Sequence, residues 1–218
     1  MVEDGDTLWQ ILHTAPLLAL HPAFLGADEA SRLLATLERD IAWASPSIQL
    51  YGRHHPIPRS QCWMGDEDAR YRYSGRSLEP HPWHAAVEAL RDRVVNALHI
   101  AELPAAQFNS VLLNRYASGD QRMGWHSDDE PELGVRPIVA SISLGSERPL
   151  RFREKRPQRF RENRGQYRRA FNVWLPHGSL LLMGPGVQES WQHALAPRAI
   201  PGVRINLTFR SVRSSIPI

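Results

Sequence analysis

Trp125-His126-Ser127-Asp128 sets an imidazole and a carboxylate two residues apart, and on extended backbone such a pair projects from one side. These are two legs of a metal site. One more histidine from a neighbouring strand would complete a face of two nitrogens and one oxygen. Three positions of an octahedral iron then stay open for oxygen and a chelating cosubstrate. An HxD pair alone is weak, since a chain with ten histidines produces it by chance as a loop hydrogen bond. Spacing leaves both His177 and His193 open as the third ligand. His177 sits in a Pro-His-Gly turn, whereas His193 follows Trp191 by two in a strand-like run and is better placed to hold a fixed direction.

A second constellation lies near the C-terminus, where Arg204, Asn206, Thr208 and Arg210 alternate with Val203, Ile205, Leu207 and Phe209. A strand sends these two sets to opposite faces, so two guanidinium groups flank an amide and a hydroxyl on one of them. A sheet with one wet face explains this as readily as a site does. If the polar face points into a barrel, however, buried arginines demand an anion, and a small dicarboxylate would supply it.

Third is a basic block. Residues 151–169 carry nine basic side chains against Glu154 and Glu162, which puts that stretch at +7 and the rest of the +3 chain at −4. Phe152, Phe160 and Tyr167 interleave with the arginines, as in an arm that grips phosphates through guanidinium forks. Nucleic acid is the polyanion this suits. An arginine-heavy solvated loop reads the same way, because every basic residue except Lys155 is arginine.

The elements that must position these residues follow from periodicity. Ala30, Leu33, Leu34, Leu37 and Ile41 recur at helical spacing with Asp28 as N-cap, and Val87, Leu90, Val94 and Leu98 mark a second helix with Pro82 at its start. Residues 1–20 show little period and are expected to be partly ordered at most. Residues 45–80 are rich in Tyr, Pro, Gly and Ser and predict short strands and turns. From Phe108 the period becomes two, and FNSVLLNRY, IVASISL, PLRFR, FNVWL, SLLLM, SWQHAL and VRINLTFR follow one another without helices between them. That succession predicts a mainly β protein with flanking helices, built on a barrel or double-sheet jelly roll. The 218 residues suffice for one domain with its own core. No apolar run reaches membrane length, the acidic start is unlike an export signal, and the single cysteine, Cys62, excludes an internal disulfide; a cytoplasmic protein is expected.

Five blocks in order carry a resemblance: Asn114-Arg115-Tyr116, His126-Ser127-Asp128-Asp129-Glu130, Pro137 through Gly145 (PIVASISLG), Trp191-Gln192-His193 and Arg204 through Arg210 (RINLTFR). Together they resemble the AlkB-type family of Fe(II)/2-oxoglutarate-dependent nucleic-acid demethylases, over most of the chain. The resemblance implies a double-stranded β-helix (jelly roll, cupin-like) core over 108–213 and a nucleotide-recognition lid over 45–80. It implies a basic DNA-contacting loop over 151–169, all in a single domain spanning 1–218. It implies Fe(2+) on His126, Asp128 and His193; 2-oxoglutarate on Asn114, Tyr116, Arg204, Asn206 and Arg210; and O2 as cosubstrate. The N-terminal part is similar to the duplex-acting branch. There the hairpin Leu50-Tyr51-Gly52-Arg53 would probe the helix, and Tyr73, beside Ser74, would stack on an extruded base. Arg59 matches a lid arginine. Asp129 and Glu130 would favour a base made cationic by methylation, and Arg161 and Arg164 would contact phosphates. The implied reaction is oxidative removal of methyl groups from 1-methyladenine and 3-methylcytosine in DNA, with formaldehyde, succinate and CO2 as products. A monomer acting on methylated DNA, away from membranes, is expected. RNA demethylation and a same-fold oxygenase acting on protein or small molecules are the alternatives.

Overall fold

The computed structural model describes residues 8–50, 53–69, 71–73, 76–155 and 169–213. In chain order its elements are β1 (Gln10–Thr14), β2 (Leu17–His21), α1 (Ala27–Asp40), β3 (Ser47–Leu50), β4 (Arg53–Pro56), β5 (Ser60–Gly65), β6 (Tyr71–Tyr73), β7 (Arg76–Leu78) and α2 (Ala85–Ile100), followed by β8 (Ser110–Tyr116), β9 (Met123–His126), β10 (Val139–Gly145), β11 (Arg148–Glu154), β12 (Ala170–Leu175), β13 (Ser179–Met183), the single turn α3 (Val187–Ser190), β14 (Trp191–Leu195) and β15 (Arg204–Arg210). The last eight strands form the jelly roll. β8, β10, β13 and β15 lie in a seven-stranded sheet ordered β1-β2-β13-β10-β15-β8-β5, while β9, β11, β12 and β14 form a four-stranded sheet ordered β12-β11-β14-β9. No helix among the described residues is long and apolar enough to cross a membrane.

Strand parity divides the large sheet between two cores. Ile205, Leu207 and Phe209 of β15, with Ala140, Ile142 and Leu144 of β10, pack on one face against Ala30 and Leu37 of α1 and Val87, Leu90, Val94 and Leu98 of α2. Burying a side chain of Val or Leu size stabilises by roughly 1.5–3 kcal/mol, so these rows hold both helices to the sheet. On the other face Val139, Leu181 and Met183 meet Phe152, Val173, Leu175 and Trp191 of the small sheet. Arg204, Asn206, Thr208 and Arg210 also point to that side, where they line a cavity between the sheets. The wet-face reading of β15 is therefore excluded.

Several expectations are corrected. Residues 10–21 form the β1–β2 hairpin and extend the large sheet by pairing with β13. Leu18, Ala19 and Leu20 are consecutively buried because β2 is covered on both faces, and such a run has no period to read. Helix α1 begins at Ala27 with Gly26 as its N-cap, so Asp28 stands in the first turn, where its charge favours the helix dipole without capping it. Pro82 precedes α2, which His84 caps by accepting from the Ala86 N–H. Within 45–80, β3–β4 and β6–β7 form two separate hairpins, whereas β5 is an integral edge strand of the large sheet.

Candidate active site

His126 ends β9 and His193 lies in the middle of β14, and the antiparallel register sets them directly opposite each other. Their ring centroids are 4.2 Å apart. Asp128 follows two residues later, beyond the strand, so parity alone does not aim it. Backbone bonding does. Its N–H donates to Gln188 Oε1 at 3.0 Å, and the Ser127 hydroxyl donates to the Trp191 carbonyl at 3.0 Å, which pins the turn against the start of β14. One ligand atom from each of His126, Asp128 and His193 then falls within 4.8 Å of the others.

These donors fit a divalent metal. The His126 Nδ1–H donates to the Gly124 carbonyl at 2.9 Å, fixing the ring and leaving Nε2 as the electron-pair donor. His193 Nε2 stands 3.8 Å from Asp128 Oδ2, an oxygen that is buried with no hydrogen-bond partner among the described residues. Metal ligands must be deprotonated, and here they are. Burial, with the neighbouring His126, pushes the His193 imidazole down to about 3. Burial also lowers His126 against the opposing pull of Asp128. Burial would raise the Asp128 carboxyl, but the Arg210 guanidinium and then the two imidazoles outweigh it and hold it at about 2.

The polar row of β15 continues the site away from the triad. Arg210 Nη2 donates to Asp128 Oδ1 at 2.7 Å, so this arginine stands at the metal end. At the far end Arg204 lies opposite Tyr116 across the β8–β15 ladder, donates to the Ser143 hydroxyl at 2.9 Å, and keeps a buried Nε with no partner among the described residues. Between them, both Nδ2 hydrogens of Asn206 are engaged, by Ser141 Oγ and the Ile142 carbonyl, and its oxygen accepts from Thr208. Asn114 faces Asn206 and accepts at 2.7 Å from Nε of Arg59, itself only 5% exposed. Arg59 thus sits deep beside the polar row of β15. Leu150, Leu175, Met183 and Leu195 make the apolar wall. A cationic, donor-lined chamber opening onto two nitrogens and a carboxylate can chelate a metal and a small dianion together.

His177, the other histidine considered for the metal, is occupied elsewhere: Nδ1 accepts from the Gly145 N–H at 2.8 Å and Nε2 stands 3.1 Å from Ser31 Oγ. Asp129 is exposed and paired with Lys155 at 2.7 Å, and Glu130 is partly buried. The backbones of Arg53 and Tyr73 lie in β4 and β6, at the turn ends of the two hairpins. Tyr51, Ser74, Arg161 and Arg164 lie outside the described residues. Sequence reasoning did not find Gln188, and it set Phe152 in the basic arm, whereas this residue belongs to β11 and its buried ring is 5.8 Å from that of His193. Pairing of β11 with β14 brings in Phe152, and the turn α3 ahead of β14 brings in Gln188. Ser141 and Ser143 were within reach, since they alternate with Ala140, Ile142 and Leu144.

Residues 18–210 match the family described as the 2OG-Fe(II) oxygenase superfamily. The chain is 35% identical over 211 residues to the Mus musculus protein named DNA oxidative demethylase ALKBH2, covering 94% of this chain and 84% of the relative. With its Homo sapiens counterpart identity is 34%, over 94% and 77% of the two chains. The Homo sapiens alpha-ketoglutarate-dependent dioxygenase alkB homolog 3 is 36% identical over 89% of this chain and 66% of its own. The solved structure of OsALKBH1 superposes with a TM-score of 0.65 over 93% of this chain and 100% of that one; at 19% identity this likeness shows the fold.

Proposed function

This chain belongs to the 2OG-Fe(II) oxygenase superfamily, in its AlkB-type branch, and on that premise we propose that it is a DNA repair enzyme that oxidatively demethylates 1-methyladenine and 3-methylcytosine in DNA. The relatives named as DNA oxidative demethylases support the reaction class and the nucleic-acid substrate. His126, Asp128 and His193 would hold Fe(2+), and Arg204, Tyr116, Asn114, Asn206 and Arg210, which line the same cavity, would hold 2-oxoglutarate. When bound, Fe(2+) with 2-oxoglutarate and O2 supplies an oxidation that hydroxylates the N-methyl group, which leaves as formaldehyde while the cosubstrate becomes succinate and CO2.

The rest falls to the chain's own residues. Arg210 and Gln188 hold Asp128 from two sides, the Gly124 carbonyl sets the His126 tautomer, and the wall of Leu150, Leu175 and Met183 keeps bulk water from the metal face. On the outer face of the small sheet Trp125 lies beneath Arg151 and Arg153, with guanidinium carbons 5.5 and 4.3 Å from the indole centroid. Arginines stacked next to the metal-binding strand suit a phosphate backbone. The β3–β4 and β6–β7 hairpins, with Tyr51, Arg53, Tyr73 and Ser74, would receive the base, with Asp129 and Glu130 beside it and Arg161 and Arg164 on phosphates, while Arg59 would act from behind through Asn114. Flipping the base costs a few kcal/mol, least for a methylated base that cannot pair.

The observation that carries the proposal is the convergence of the triad on one end of a buried cationic row. Its test is succinate and formaldehyde release from paired and unpaired DNA and RNA strands bearing one 1-methyladenine, comparing wild type with Asp128→Ala. Iron-dependent turnover on DNA that vanishes in the variant is expected. Absence of turnover on every methylated strand overturns the proposal.

A further inference from the structure

Arg148 opens β11 and points inward with Leu150 and Phe152, the three alternate residues of one strand face. Phe152 packs beside His193, Leu150 lines the cavity, and Arg148 lies on the side of Arg204 and Tyr116. It is 1% exposed. One of its nitrogens, Nη2, donates to the carbonyls of Gln121 at 2.8 Å and Ala196 at 2.7 Å, tying the β8–β9 connection to the β14–β15 connection. Nε and Nη1 are buried with no hydrogen-bond partner, and no carboxylate lies within 4.0 Å of the guanidinium among the described residues. Its Cζ stands over the Tyr116 ring, 5.5 Å from the centroid, and the Arg204 Cζ stands over the same ring at 5.6 Å. Two buried guanidinium groups thus share one aromatic ring with no anion among the described residues to balance them, an arrangement that is costly unless a negative charge arrives.

We propose that Arg148 is a positioning residue for the cosubstrate: it fixes the Tyr116 ring beside Arg204 and adds a second buried positive charge at the end of the cavity away from the metal. The pocket thereby selects keto acids that carry a second carboxylate. This rests on the reading of the cavity as the 2-oxoglutarate pocket. Arg210, engaged with Asp128 at the metal end, does not supply that distal charge. Arg148 acts through the ring and through its field, and it need not touch the ligand.

The test compares two ligands of the Mn(2+)-loaded full chain by titration calorimetry under nitrogen: 2-oxoglutarate, and 2-oxobutyrate, which keeps the keto acid but lacks the distal carboxylate. Wild type should prefer 2-oxoglutarate. Arg148→Met should reduce that preference by about tenfold, as expected for loss of one nearby buried charge, while Arg148→Lys keeps it within about threefold. Arg148→Gln, which retains donors for the two carbonyls, carries the same comparison if the methionine variant does not fold. Equal weakening of both ligands would make Arg148 a loop clamp only and overturn the proposal. A wild type without preference for the dicarboxylate would instead overturn the pocket reading on which it rests.

Discussion

Gln188 offers the sharpest check on how the metal carboxylate is held. Its side chain is 1% exposed, its Oε1 accepts the Asp128 N–H at 3.0 Å, and its Nε2 lies 3.5 Å from the Met183 sulfur. Gln188→Leu keeps roughly the same volume but strands that N–H in a buried site. An unsatisfied buried donor costs about 1–3 kcal/mol. Taking about 2 kcal/mol, the melting temperature of a chain this size should fall by about 4–8 °C. The functional effect should exceed the global one, because the hydrogen bond sets the direction of the Asp128 carboxylate, and removing such a support typically lowers metal affinity about 10- to 100-fold. Free Mn(2+) measured by electron paramagnetic resonance well below the melting transition reads that affinity on folded protein. A leucine variant that binds Mn(2+) within twofold of wild type would show that the turn holds Asp128 without Gln188, and the reasoning would fail.

Phe152→Ala removes a fully buried ring stacked on Phe171 at 5.1 Å and should cost about 3–5 kcal/mol in urea denaturation; a loss below about 1 kcal/mol would contradict its place in the inner core. Burial raises the Cys62 thiol to about 11, and since only the thiolate reacts, iodoacetamide at pH 8 should label it only after unfolding; stoichiometric labelling of native protein would refute this. Arg161→Glu with Arg164→Glu should flatten the slope of log binding constant against log salt for duplex DNA by about 2, at roughly 0.9 per phosphate contact, and an unchanged slope would remove these two arginines from the DNA contacts.

Much of the site was legible because it is built on strands whose parity is written in residue order. The row Arg204, Asn206, Thr208 and Arg210, and the pair Asn114 and Tyr116, could be placed on common faces before any pairing was known. Which face was inside could not, since that depends on what covers each side: α1 and α2 pack on the apolar rows and the small sheet closes over the polar ones. β2 was missed for the related reason that a strand covered on both faces loses its alternation. The contest between His177 and His193 shows the same limit. Residue order already favoured His193, which lies in a strand-like run while His177 lies in a Pro-His-Gly turn, but only pairing with β9 shows that it stands opposite His126. Arg148 was unreadable in principle, because an arginine opening a strand beside a basic block is ordinarily a surface residue, and its burial follows from two connections folding over it.

The Asp128 carboxylate divides its two oxygens between structure and chemistry, and that division explains why a row of arginines can approach a cationic centre. Oδ1 is taken by Arg210 at 2.7 Å, while Oδ2 faces His193 with no hydrogen bond among the described residues. A carboxylate bonded through both oxygens would have little left for a metal. One bonded through neither would be free to rotate away from the two imidazoles. Arg210 orients the group, keeps it ionised and leaves one oxygen for coordination. The same pairing neutralises Arg210, so the net positive charge of the chamber lies at the Arg204 end, away from the metal. A dianion with its keto acid at a bound metal and its second carboxylate at Arg204 would meet complementary charge at both ends, whereas the reversed orientation would leave the keto acid away from the metal. On the proposed reading of the chamber, the orientation of the cosubstrate would follow from where Asp128 stands, and Gln188 and Arg210 both bond to Asp128.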